Sequence, residues 1–174
     1  MRTISGAELA GLTALRSVCL PGQGRVSQVL VPGNSLHDPR RIRSLLEALA
    51  RHFAVDLVAL RQRCGGLLGM RNYLPLPLSS QMVLVPLALG QMGEKTGYIN
   101  LLFVSKVLPQ QGFCSIVLND GNELECWLSP GVVHERLLRA KFALTELAAA
   151  GMLPGPGANE IWQQKLSIIR AILE

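Results

Sequence analysis

The sequence predicts an α+β protein in which a mostly antiparallel, proline-interrupted β-sheet platform follows an amphipathic helix and precedes two more helices. Three observations predict it. Short apolar runs between turn residues crowd the stretch from Cys64 to Leu128, apolar residues from Ile42 to Phe53 recur at helical spacing, and helical spacing returns after Ser129. At 174 residues, 49% of them hydrophobic, the chain is long enough to bury a full core and is expected to form one domain. A basic helical part at about 1–66, a strand-rich core at about 70–128 and C-terminal helices at about 130–173 are its expected parts.

Leu9 to Leu20 reads as a short helix or strand, and Val26 to Val31 as a strand bounded by Pro21-Gly22 and Pro32-Gly33. Asp38-Pro39 then offers a cap residue and a proline suited to a first helical turn, after which Ile42, Leu45, Leu46, Leu49 and Phe53 share one helix face. The outer face of that helix carries Arg40, Arg41, Arg43 and Arg51. A second helical stretch, Val55 to Arg63, runs into Gly65-Gly66, which suits a C-terminal stop.

Five segments read as strands: Leu74 to Leu78, Met82 to Leu89, Gly97 to Val107, Phe113 to Leu118 and Glu123 to Leu128. Pro75, Pro77 and Pro86 cannot donate to a ladder, so the sheet is expected to be broken, with these segments at edges or irregular crossings. Asn119-Asp120-Gly121-Asn122 supplies the residues of a tight hairpin turn. With Asp120-Gly121 as a two-residue loop, Leu118 faces Glu123, Val117 faces Leu124 and Ser115 faces Cys126. Ser129-Pro130 caps a helix through Val133, Leu137, Ala140, Leu144 and Leu147 that ends near Gly151. A Pro/Gly linker at 153–157 follows, and Asn159 caps a final helix with Trp162, Leu166, Ile169 and Leu173 at helical intervals, expected to dock on the body.

Catalytic and metal patterns are missing from the sequence. Cys19, Cys64, Cys114 and Cys126 form no C-x-x-C pair and read as reduced, cytosolic thiols, while His37, His52 and His134 show no H-x-x-x-H spacing. In the hairpin register above, Cys114 and Cys126 fall on opposite faces and can share neither a metal nor a disulfide. Gly90 to Gly97 resembles a phosphate loop only superficially, since Glu94 intrudes and a strand follows. Glu123 and Glu125 share a strand face with no partner carboxylate for acid/base work. The expectation is a non-enzyme with no cofactor and no metal. Residues before Pro21 include Arg2, Glu8 and Arg16, and later apolar runs stay far short of the roughly 20 residues of a membrane span, so a soluble cytoplasmic protein is expected.

The formal net charge of +5 is unevenly distributed: residues 1–71 hold ten Lys/Arg against four Asp/Glu, and residues 72–174 hold seven against eight. A localised basic surface suits nucleic acid or an anionic membrane, and equally a solvated arginine-bearing helix face.

Cys64-Gly65-Gly66 followed by Gly69-Met70-Arg71, then Leu74-Pro75-Leu76-Pro77-Leu78, Val85-Pro86-Leu87, Gly97-Tyr98-Ile99, Val117-Leu118-Asn119-Asp120-Gly121 and Leu124 to Ser129 form a series of motifs in fixed order. This order resembles the ComK family of competence transcription factors of Gram-positive bacteria, over roughly residues 60–140. Val85 and Tyr98 replace the aromatic residues of the family's Phe-Pro-Thr and Trp-Ile segments, no Lys precedes Pro75, and the helix at 40–52 resembles an insertion. The resemblance implies a transcriptional activator that binds AT-rich double-stranded DNA through the minor groove as a homo-oligomer. Arg71 in the Gly-x-Arg turn, Lys95 in the loop before Gly97 and Lys106 near a strand end are the residues it marks for the groove, with Arg40, Arg41 and Arg43 adding phosphate contacts. The competing expectation is a non-enzymatic protein-interaction or assembly module on the same fold, without DNA binding.

Overall fold

The computed structural model describes residues 1–90 and 96–153. Along them run α1 (Gly6–Leu9), β1 (Ala14–Leu20), β2 (Gly24–Val31), β3 (Asn34–Asp38), α2 (Ile42–His52) and α3 (Leu57–Leu68). Then follow β4 (Leu76–Ser79), β5 (Met82–Ala88), β6 (Thr96–Asn100), a 3-10 turn (Leu101–Phe103), β7 (Val104–Pro109), β8 (Cys114–Leu118), β9 (Glu123–Cys126) and α4 (Pro130–Ala149). The α+β class and its antiparallel, interrupted sheet are as the sequence predicts. The linker at 153–157, apart from Leu153, and the final helix lie outside the described residues.

Six strands form one antiparallel sheet in the order β3-β2-β1-β6-β5-β4, and β7-β8-β9 form a second. The larger sheet is two three-stranded meanders, joined among the described residues where Ala14 pairs with Ile99 and Leu15 with Tyr98, beside the bonds from Asn100 to Thr13 O and Leu12 O. Half of it therefore comes from the first 66 residues, which the sequence had suggested were mainly helical. Pro21 to Gln23 and Pro32-Gly33 are hairpin loops, which pair β2 with both neighbours.

Alternation along the strands sorts the core into two layers. Leu15, Val29, Leu76, Leu78, Met82 and Leu84 face α1, α2 and α3 with Ile42, Leu45 and Leu49, whereas Ala14, Leu30, Val83, Val85, Leu87 and Ile99 face the smaller sheet and α4. α4 reaches both layers, placing Leu137, Ala140 and Leu144 in the second and Ala143 and Leu147 in the first. Ser129 caps α4 by accepting from Val132 N–H, with Pro130 in the first turn as expected.

The prolines of β4 and β5 have places consistent with their missing N–H. Pro77 lies on the edge strand β4, and Pro86, although in β5, sits beyond the last β4 partner, Leu84, so its outer side faces no strand. The expected single strand from Gly97 to Val107 is broken at Leu101–Phe103, because the Asn100 side chain accepts from Leu102 N–H and turns the chain toward the second sheet.

Three local expectations are corrected. The hairpin pairs Val117 with Glu123, Ile116 with Leu124, Ser115 with Glu125 and Cys114 with Cys126, one residue away from the expected register. Asn119 N–H is drawn to Phe103 O and Asp120 accepts from Asn122 N–H, so the loop closes from Leu118 N–H to Asn122 O rather than as a two-residue turn. A one-residue slip exchanges faces, and Cys114 and Cys126 are buried cross-strand neighbours. Second, α3 runs through Gly65-Gly66 and stops at Gly69, whose left-handed φ of 63° ends it. Third, α2 begins at Ile42 with Arg41 at its N-cap position, and Asp38 does not cap it.

Asp38 instead ends β3 with a buried carboxylate that accepts from Ile4 N–H at 2.7 Å, Arg40 N–H at 2.8 Å and the Arg40 guanidinium at 2.8 and 2.9 Å. Burial opposes its charge, and these hydrogen bonds outweigh burial, holding its pKa below the usual aspartate range. The stability this provides is fully present above the unfolded pKa of about 3.9 and is lost as pH falls through the folded value. Asp38→Ala is expected to lower unfolding stability by about 3 kcal/mol at pH 7, since it strands the guanidinium and a buried N–H. Urea titrations should show the gap to the wild type closing as the pH falls through the folded pKa of Asp38.

Candidate nucleic-acid interface

Past Gly69 the chain folds back against the helix it has just left. Gly69 and Met70 N–H both bond to Gly65 O, and a Cβ on Gly65 would lie 2.8 Å from Met70 O, so only glycine admits the approach. The turn 69–74 presents Arg71 to solvent and brings it beside Arg61 and Gln62 of α3, where Arg61, Gln62, Gly65, Met70, Arg71 and Leu74 line a groove of about 500 Å³. Neither Arg61 nor Arg71 has a carboxylate partner among the described residues.

Tyr73, at the far end of this turn, holds φ at 55°, a left-handed conformation that costs a bulky side chain of order 1 kcal/mol or more. Arg136 of α4 stabilises it there. Its guanidinium carbon stands 4.1 Å over the Tyr73 ring while Nη1 donates to Pro86 O at 2.8 Å, on the side of β5 that β4 leaves open. Burial lowers the Arg136 pKa, against the pull of Tyr73 and other neighbours, yet an arginine stays charged. Arg136 is thus a positioning residue that fixes the turn carrying Arg71.

The other expected cations are dispersed. Arg40 is engaged by Asp38 and also donates to Ile4 O at 2.6 Å, which corrects its reading as a free outer-face arginine: it fastens the N-terminal segment to β3. Arg41 is exposed, and Arg43 pairs with Glu47 at 3.2 Å one helical turn on. Both lie on or beside α2, which packs on α1 and β1, whereas α3 and the Arg71 turn adjoin β4. β1 and β4 are three strands apart, about 14 Å at ordinary strand spacing. Lys106 is exposed on the outer face of β7, in the cross-strand row of Val117 and Glu123. Lys95 lies outside the described residues.

No protein-family model matches the chain, and no curated protein or solved structure matches it.

The outer face of the second sheet has a different character. Glu123 and Glu125 are exposed there, Ser115 bonds to Glu123, and Phe113 meets the half-exposed Trp127 at 5.4 Å between rings. The buried thiols offer little reactivity. Burial pushes Cys64 up to about 11, and burial together with Cys126 pushes Cys114 up to about 12, which disfavours the thiolate at neutral pH. No cluster of metal-ligating side chains occurs among the described residues, nor is any helix there long and apolar enough to cross a membrane.

Sequence reasoning marked Arg71 from its Gly-x-Arg turn but missed Arg61, Tyr73 and Arg136. Arg61 had a signal: with a glycine C-cap at 69, the chain must turn back along the last helical turns, where residues 61, 62 and 65 lie. Tyr73 and Arg136, 63 positions apart, had none.

Arg136→Ala is expected to cost about 2 kcal/mol, from a charged hydrogen bond and a cation–π contact. It should also raise amide exchange in residues 69–74 more than in α2 when followed by hydrogen-exchange mass spectrometry. Thiol titration with a disulfide reagent at pH 8 should label one cysteine, the exposed Cys19, in the folded chain and all four after unfolding.

Proposed function

We propose that this chain is a DNA-binding transcriptional regulator of ComK-like architecture that reads AT-rich duplexes through the minor groove, as an oligomer in the cytoplasm. Arg71 is the observation that carries the reading. It is exposed, unpaired among the described residues, and mounted on a turn whose shape is held by Gly65, Gly69 and the Tyr73–Arg136 contact. A-tracts narrow the minor groove and deepen its negative potential, so an arginine presented on a firm turn gains there without reading base edges in the major groove. A preformed mount also reduces the ordering cost of binding. No catalytic step or cofactor enters this reading. Lys106 and Arg41 serve it only as long-range positive potential, and Arg40 not at all.

A second reading, a protein-interaction module on the same fold without DNA binding, draws on α4. Leu138 and Phe142, four residues apart, remain about half exposed on its outer face, where a helical partner's apolar stripe would fit.

Fluorescence anisotropy with AT-rich and GC-rich duplexes across a salt series separates the two. The regulator reading expects tighter binding to AT-rich DNA that weakens steeply with salt, and Arg71→Ala should lower the slope of log affinity against log salt by about one. Equal, weak binding to both duplexes, or an Arg71→Ala variant with unchanged affinity, rejects that reading.

A further inference from the structure

The Arg61–Arg71 groove has features that Arg71 alone does not explain. Arg61 of α3 and Arg71 of the following turn line one groove, and neither pairs with a carboxylate among the described residues. Three of the other arginines in the first 71 residues have an acid beside them, Arg2 with Glu8, Arg40 with Asp38 and Arg43 with Glu47, and none of those three lines this groove. Like charges gathered in one concavity repel each other, and an anion seated between them removes that repulsion. The walls are Met70 and Leu74, partly buried apolar side chains that strengthen electrostatic attraction by displacing water, and the Gln62 amide adds a neutral donor. Gly65 keeps the floor free of a side chain, and its carbonyl accepts from Gly69 and Met70 N–H.

We infer that this groove is a seat for a phosphoryl group, with Arg61 and Arg71 as its two clamps and Gln62 as an accessory donor. Guanidinium forks match the oxygens of a phosphoryl group two at a time, which an ammonium cannot do, and the cavity volume lies within the usual range for small-molecule sites. The phosphoryl group is carried either by a nucleic-acid backbone or by a small phosphorylated molecule. The inference stands apart from the DNA reading, because it concerns the group recognised and not the polymer that bears it.

The test is a titration of the isotopically labelled full chain with inorganic pyrophosphate, followed by amide chemical shifts. Saturable shifts at Gly65, Gly69, Met70 and Arg71 are expected, with binding about tenfold weaker in Arg61→Gln and in Arg71→Gln, and partly restored in Arg61→Lys. Both side chains are exposed, so the variants should fold as the wild type does. Repeating the titration in the presence of an AT-rich duplex identifies the source. Displacement of pyrophosphate by the duplex supports the seat and assigns it to a DNA backbone. Undisturbed pyrophosphate binding supports the seat and assigns it to a small phosphorylated molecule. Absence of saturable shifts in the groove, or shifts unchanged in the Arg61→Gln/Arg71→Gln double variant, overturns the inference even if the duplex binds elsewhere on the chain.

Discussion

The buried side chain of Asn100 is the constraint on which the arrangement of the two sheets depends. Its Oδ1 accepts from Val83 and Leu102 N–H, and its Nδ2 donates to Leu12 O and Gln81 O, so the full capacity of the amide is used. The backbone N–H of Asn100 reaches Thr13 O as well. Five segments are thereby tied at one point: the approach to β1, the β4–β5 hairpin, β5 itself, the end of β6 and the 3-10 turn. The chain leaves the larger sheet there, and the tie leaves none of these buried backbone groups unpaired. The position of the smaller sheet, and hence the layer into which α4 packs Leu137 and Ala140, follows from that exit.

The same constraint accounts for what the sequence withheld. Alternation and turn residues located β2, β5, β8 and β9 to within a residue or two, and Ser129-Pro130 located α4, because those signals are local. The run from Gly97 to Val107 is mostly apolar and holds no proline or internal glycine, and the short Leu102 N–H to Asn100 bond that turns it is fixed by bonds from the same side chain across 17 to 88 positions, which leave no local signal. The hairpin register slipped for a related reason. Asn119 and Asp120 suit a two-residue loop, yet Asn119 is claimed by Phe103 O and Leu102 O, and a tertiary bond overrides the local preference. Asp38-Pro39 imitated a helix start because its real partners, Ile4 and Arg40, give no sequence pattern.

The candidate interface was legible to the same degree. Arg71 stood out because a glycine-flanked arginine at a turn is a local feature. Of the six arginines and lysines first singled out, Lys95 lies outside the described residues, Arg40 is tied to Asp38, Arg43 to Glu47, and Lys106 lies on the other sheet. Proximity of Arg61 to Arg71 depends on the approach permitted at Gly65, where backbone meets backbone. Glycine in a helix reads as a stop when only propensity is weighed, but here it admits the returning chain.

The narrow join between the two meanders carries a consequence for leverage. Twist accumulates separately in β3-β2-β1 and in β6-β5-β4, and two residue pairs with the Asn100 bonds to Leu12 O and Thr13 O link one ribbon to the other. α2, with Arg41 and Arg43, rides on the first ribbon, and the Arg61–Arg71 groove rides beside the second. Over an arm of about 14 Å, a rotation of about 10° at the join displaces one relative to the other by about 2.5 Å. That is enough to move a phosphate contact in or out of hydrogen-bonding reach, so the spacing of charge along any long anionic ligand is set where the charges themselves are absent.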